Sequence, residues 1–252
     1  KFMKAVILAG GLGTRLYPIT KVTNKHLLPV YDRPMIYWPL KTMVESGITD
    51  ILLVCGGNSA GEFLRLLGNG KEFGLKHLNY TYQEGEGGIA DALSLAEHFA
   101  EGGPLLVMLG DNILQKGIAD AVTDFRESTT GAKIFVTEVE HPEWYGVVEL
   151  DGNRVSHIVE KPLQPKSALI AIGAYMYDHT VFEFIRTISP SDRGELEITD
   201  VNNSYIESGQ MRWERINGWW ADAGESFEMY LKANMLAAGV DPTGVEVIQQ
   251  DI

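Results

Sequence analysis

The chain has 252 residues, 45% of them hydrophobic, enough to bury a full core in one domain or in two closely packed ones. Lys and Arg total 21 against 34 Asp and Glu, a formal charge of −13, which argues against nucleic-acid or anionic-membrane partners and leaves any phosphate ligand to local cations or a metal. The single Cys55 excludes an internal disulfide, no apolar run approaches the roughly 20 residues of a bilayer span, and a reducing cytoplasm is the expected setting.

From Met3 the sequence reads "MKAVILAGG", which would be a natural start, and no secretory leader is expected. The apolar "AVIL" at 5–8 predicts a strand, and it runs into the turn "LAGGLGTRLYPIT" at 8–20. Gly10, Gly11 and Gly13 let backbone amides approach an anion with no Cβ in the way, and Arg15 offers a planar fork for phosphate. Neither familiar cradle fits. A dinucleotide fingerprint would need glycine where Leu16 stands, and a Walker turn would need Gly-Lys-Ser/Thr where Gly13 is followed by Thr14 and Arg15. An ordinary strand-to-helix turn with a solvated arginine is the alternative, and Lys25 in "TNKHLLPV" is a second cation able to swing back toward the turn.

Helical patterns at 34–45, 62–67, 89–99 and 118–126 alternate with apolar strands at 50–55, 78–83 and 104–109. Such alternation predicts a buried, mostly parallel α/β sheet with helices on both faces, and ligands bind beyond the carboxyl ends of strands of that kind. There "LGDN" places Asp111 directly after a strand and a glycine, suited either to Mg²⁺ or to capping a turn. After residue 130 the texture changes to extended pieces at 133–139, 145–150, 153–159 and 169–177, with helices at 180–188, 198–208 and 226–238. The tail at 245–252 reads either as a strand or as unstructured. Adjacent Glu160 and Lys161 in "VEKP" form either a surface ion pair or a polar site, and Asp222 in "WWADAG" is either a metal ligand or the cap of the helix from Ser226. Cations for phosphates, two separated carboxylates for a metal and an acid for hydroxyls are together the inventory of phosphoryl transfer.

The whole set resembles the sugar-1-phosphate nucleotidyltransferases over nearly the full length, through "KAVILAGGLGTRLYPITKVTNKHLLPVYDRPMIY", "LGDN", "YGVVE", "EKPLQPKS", "RGELEITDVN" and "WWADAG". The resemblance implies a three-layer α/β/α nucleotide-diphospho-sugar transferase fold, Rossmann-like, with a mixed, mostly parallel sheet. It implies one domain over 1–252, with a nucleotide half at about 3–130 and a sugar half at 131–240. The implied reaction joins dTTP and glucose 1-phosphate into dTDP-glucose and pyrophosphate. UTP, another hexose 1-phosphate, or a catalytically inactive sugar-nucleotide-binding protein remain as alternatives. A homo-oligomer is expected, with no nucleic acid and no membrane.

Carried over by position, the resemblance gives the triphosphate to Gly10, Gly11, Gly13, Thr14 and Arg15, with Lys25 toward the α-phosphate and Leu8 beside them. Gln83 and Gly88 would read the base. Asp111 and Asp222 would hold Mg²⁺, while Asn112, Gly146, Glu160 and Ala171 would meet the sugar and Lys161 its phosphate. No side chain serves as nucleophile; Arg15, Lys25, Asp111 and Lys161 act by alignment and charge neutralisation. The chain departs from the pattern at Glu86 and Gly87, where the longer members carry Pro-Asp, so a looser loop over the base is expected. Ala171 and Ile172 replace a Val-Thr pair in the wall of the sugar pocket. The chain also ends short of the long members, whose C-terminal helices help form a second, regulatory nucleotide site, so feedback there is expected to be absent or altered.

Overall fold

The computed structural model describes residues 2–57, 59–128 and 130–243; the tail at 245–252 lies outside them. Strand β1 (Lys4–Ala9) leads through three short 3₁₀ turns to a two-residue ribbon, β2 (Pro29–Val30) and β3 (Arg33–Pro34), and then to helix α1 (Tyr37–Glu45). β4 (Asp50–Gly56), α2 (Ala60–Leu67), β5 (His77–Gln83), α3 (Ile89–Ser94), α4 (Glu97–Ala100), β6 (Leu105–Leu109), β7 (Asn112–Leu114) and α5 (Ala119–Ser128) follow. The remainder comprises β8 (Ala132–Glu138), β9 (Gly146–Asp151), β10 (Arg154–Glu160), β11 (Leu169–Tyr177), α6 (Val181–Ile185), α7 (Ile198–Glu207), β12 (Met211–Arg215), β13 (Trp220–Asp222) and α8 (Phe227–Ala237).

The main sheet runs in the order β10-β9-β11-β6-β1-β4-β5, with β8 branching from β11 and β12 lying on β8. β5, β4, β1 and β6 are mutually parallel, and β11, β9 and β10 continue the sheet antiparallel. Successive side chains of a strand face opposite ways, so β1 feeds two cores at once. Ala5, Ile7 and Ala9 pack with Leu40, Phe63 and Phe125 of α1, α2 and α5. Val6 and Leu8 pack with Leu93, Val181 and Val201 of α3, α6 and α7 on the other face. These are the three layers expected of the sequence, and no described helix is long and apolar enough to cross a membrane.

Two expectations about elements need correction, and one pair of strands goes beyond them. The helix expected over 89–99 is two, because the Ser94 hydroxyl bonds the Asp91 carbonyl (2.6 Å) and the Ala96 amide turns back to Leu93. The helix expected from 34 begins at Tyr37, since the Met35 and Ile36 amides bond Leu28 and His26 across the chain. β7 and β13 have no counterpart in the sequence pattern because each has three residues, too few for periodicity to register.

β11 joins the two parts of the sheet. Its Ile170 and Ala171 pair with β9, its Ala174–Tyr177 stretch pairs with β6, and its register on β8 shifts between Ala171 and Tyr175. Gly173 sits at this crossing. A Cβ there would lie 2.7 Å from both Asn112 Nδ2 and Leu109 Cδ1, so the strand can pass only without a side chain.

Candidate active site

The carboxyl ends of β1, β5 and β6 and residues of β9, β10 and β11 line a cleft of about 460 Å³. All the residues expected at a site line it: Leu8, Gly10, Gly11, Gly13, Thr14, Arg15, Lys25, Gln83, Gly88, Asp111, Asn112, Gly146, Glu160, Lys161, Ala171 and Asp222.

The glycine turn is held from inside. Thr20 Oγ1 donates to the Gly13 carbonyl (2.7 Å), and Gly13 itself has φ of 69°, with Lys25 Cβ 2.9 Å from where its own Cβ would be. The turn therefore wraps the Lys25 stem, which carries the ammonium to Asp111 Oδ2 at 2.5 Å. Loss of water alone would lower the Lys25 ammonium, but Asp111 and Asp222 outweigh it and hold it above the ordinary lysine value. Neither cation is simply solvated: Arg15, though exposed, is ion-paired with Glu225.

Asp111 and Asp222 are brought together by the β7–β13 ribbon, in which Asp222 faces Asn112 and the Ala223 amide bonds the Asp111 carbonyl (2.9 Å). Their environments diverge. Loss of water would raise both, yet Lys25 holds the Asp111 carboxyl well below the ordinary range, while Asp222, with Asp111 as its next largest influence, is pushed well above it. One carboxylate has taken the lysine, and the other is left beside a like charge. Gly224 closes over the pair: a Cβ on it would run into Asp111 Oδ2 and Lys25 Nζ. Asp222 does not cap α8; Ser226 does, its Oγ accepting from the Met229 amide (3.1 Å).

Asn112, expected as a sugar contact, is 1% exposed and knits the ribbon to β11. Its Oδ1 accepts from the Gly173 amide (2.8 Å) and Trp220 Nε1 (2.7 Å), and its Nδ2 donates to Asp111 Oδ1 (3.1 Å). His26, which the sequence does not single out, lies buried beside Lys25 with Nδ1 on Asn24 Oδ1 (2.7 Å). Burial, then Lys25, lowers its pKa to about 3, so the ring is neutral.

On the far wall Glu160 accepts from Thr199 Oγ1 (2.5 Å) and faces Arg193, which bridges on to Glu197 (2.8 Å). Burial, with Glu197 nearby, raises the Glu160 carboxyl against the opposing Thr199 bond and the Lys161 and Arg193 charges. Lys161 follows at φ of 42°, a left-handed turn at the end of β10 pinned by its amide on the Tyr145 carbonyl (3.0 Å). Tyr145 stacks edge-on against Trp220, and its hydroxyl has no partner among the described residues. Arg193, Glu197 and Thr199 belong to "RGELEITDVN", Tyr145 opens "YGVVE" and Trp220 stands in "WWADAG", so the sequence marks the stretches without singling out these residues.

The loop expected to be loose over the base is pinned at its end. The Leu196 amide bonds the Gly87 carbonyl (2.8 Å), the Ala90 amide bonds the Leu196 carbonyl (3.1 Å), and Gly88 has φ of 96° with no room for a Cβ beside Leu196.

The family model for nucleotidyl transferases matches residues 4–239. A glucose-1-phosphate thymidylyltransferase of Actinoplanes sp. is 40% identical over 248 residues, 97% of this chain and 82% of that one. One of Neisseria gonorrhoeae is 42% identical over 238 residues, covering 93% and 82%. A Bacillus anthracis crystal structure described as a glucose-1-phosphate thymidylyltransferase, in complex with a sucrose, superposes with a TM-score of 0.89 at 44% identity, covering 95% of this chain and 96% of that one.

Proposed function

The chain belongs to the nucleotidyl transferase family, and from that premise we propose that it transfers the thymidylyl group of dTTP to glucose 1-phosphate, releasing pyrophosphate. The observation that carries this reading is the meeting of Asp111, Asp222 and Lys25 at the junction of the parallel and antiparallel parts of the sheet. The parallel part, about residues 3–130, would bind the nucleotide, and the antiparallel part, 131–240, the sugar, within one domain.

The donor set fits Mg²⁺. Two carboxylates meet, one of them, Asp222, raised well above the ordinary range by burial and by Asp111, and among the described residues no group of three or more His, Cys, Asp and Glu is placed to hold a metal. Mg²⁺ commonly takes one or two carboxylates and fills its shell with phosphate oxygens and water. Held by Asp111 and Asp222, it would supply charge neutralisation at the reacting phosphate.

The protein's own groups do the rest. The amides of Gly10 to Gly13 and the Arg15 guanidinium would cradle the phosphates that leave, with Arg15 exchanging Glu225 for them. Lys25, held charged, would face the α-phosphate. Lys161 would orient the sugar phosphate, and Glu160, fixed by Thr199, would accept from sugar hydroxyls. An oxygen of the sugar phosphate attacks the α-phosphorus, so no residue has to become covalently bound. Pyrophosphate release with Mg²⁺ and glucose 1-phosphate, offered dTTP, UTP, CTP, ATP and GTP in turn, tests the reading. Fast release with dTTP is expected; silence with all five would refute it.

A further inference from the structure

Gln83 ends β5, is 6% exposed, and is locked in place by the parallel pairing of its backbone with Gly56. Its Nε2 donates to the Gly88 carbonyl (3.1 Å) and to Asp91 Oδ2 (2.7 Å). Both partners can only accept, so both amide hydrogens are committed. Flipping the amide would set Oε1 against a carbonyl and a carboxylate, two repulsive contacts. The orientation is therefore dictated by chemistry, and Oε1 is the atom left for a ligand. It lies over Gly10, where a Cβ would come within 2.5 Å of it.

Asp91 reaches this position because residue 87 has no side chain. A Cβ on Gly87 would lie 2.5 Å from Asp91 Oδ2 and 2.6 Å from its Cγ. Gly87 and Asp91 are thus a matched pair, the carboxylate filling the space that the glycine leaves.

We infer that Asp91 is the positioning residue that sets which nucleobase the cleft accepts: by holding the Gln83 nitrogen it presents Oε1 as a fixed acceptor. Bases with an imino N–H on their pairing edge, thymine, uracil and guanine, satisfy that acceptor. Cytosine and adenine turn a ring-nitrogen lone pair toward it and leave both groups unpaired. The inference rests on reading this part of the cleft as the nucleotide site.

The test is kcat/KM for dTTP and dCTP, with Mg²⁺ and glucose 1-phosphate, in the intact enzyme and in Asp91→Asn, Asp91→Leu and Gly87→Ala. The intact enzyme should favour dTTP. Asp91→Asn, which keeps an accepting oxygen, should retain most of that preference. Asp91→Leu should narrow the dTTP-to-dCTP ratio by about tenfold or more with KM for glucose 1-phosphate unchanged. Gly87→Ala, by displacing the carboxylate, should narrow it in the same direction and carries the test if Asp91→Leu fails to fold. An unchanged ratio in Asp91→Leu or Gly87→Ala, or an equal loss with both nucleotides, would overturn the inference, as would an intact enzyme that prefers dCTP or ATP. An intact enzyme that prefers UTP or GTP would overturn the assignment of dTTP and leave the role of Asp91 standing.

Discussion

On the parallel side of the cleft, β1, β5 and β6 each deliver their site residues within three positions of the strand end: Gly10, Gln83, Asp111. On the antiparallel side the wall is assembled from the end of β10, the start of α7 and the Arg193 turn before it, and its polar groups hold one another through Glu160, Thr199, Arg193 and Glu197. One side offers backbone amides and cations, as an anion demands. The other offers two acids, a hydroxyl and a guanidinium that hold one another. The difference shows that a single sheet can present two chemistries when its strands change direction partway across.

Breaking the junction should erase both sides together and gives the largest effect. Asp111→Asn should cut kcat on the order of 10³-fold, because it keeps the shape of the side chain and removes the charge that pairs with Lys25 and would help hold the metal; near-normal kcat in Mg²⁺ would sink the metal assignment. Lys161→Ala should separate the sides, raising KM for glucose 1-phosphate by about tenfold or more, the worth of a charge-assisted contact, while KM for dTTP stays near the wild-type value. Equal effects on both substrates would mean the sides are misassigned. Glu225→Gln acts the other way on the parallel side. With Arg15 released from its partner, KM for dTTP should fall about two- to fivefold, the scale of an exposed ion pair, and an increase would show that Glu225 positions Arg15 instead of competing for it.

The smallest effect sharpens the antiparallel side alone. Because the native Glu160 carboxyl is raised, the folded chain binds that proton more tightly than the unfolded chain does. Its contribution to stability is present below the ordinary glutamate range and is lost as pH rises through the raised value. Glu160→Gln has no such loss, so its Tm should exceed the wild type's at pH 7 and match it near pH 4. A Tm difference independent of pH would show that ionisation of this carboxyl is not its source.

What the sequence disclosed follows the same division. Gly10, Gly11, Arg15 and Asp111 could be read because a strand end and its turn are contiguous in the chain, so an apolar run followed by glycine marks the place. Arg193, Glu197 and Thr199 could not be singled out, since no period or spacing connects them with Glu160, and only folding sets them side by side. The β7–β13 ribbon was invisible for another reason: its partners are three residues long and more than 100 positions apart, Trp220 opposite Leu114. Gly87 reads as a source of slack, whereas the Asp91 carboxylate occupies the vacated space and Leu196 ties the backbone down.

β11 has one more implication, for recombining this chain with its relatives. A nine-residue strand that pairs with β9 at one end and β6 at the other belongs to two neighbourhoods at once. The parallel and antiparallel parts are therefore not cassettes that can be cut and exchanged near residue 130. A chimera would have to inherit β6, the Asn112 amide and the Gly173 notch from a single parent, and the tolerated crossover points should fall outside that block.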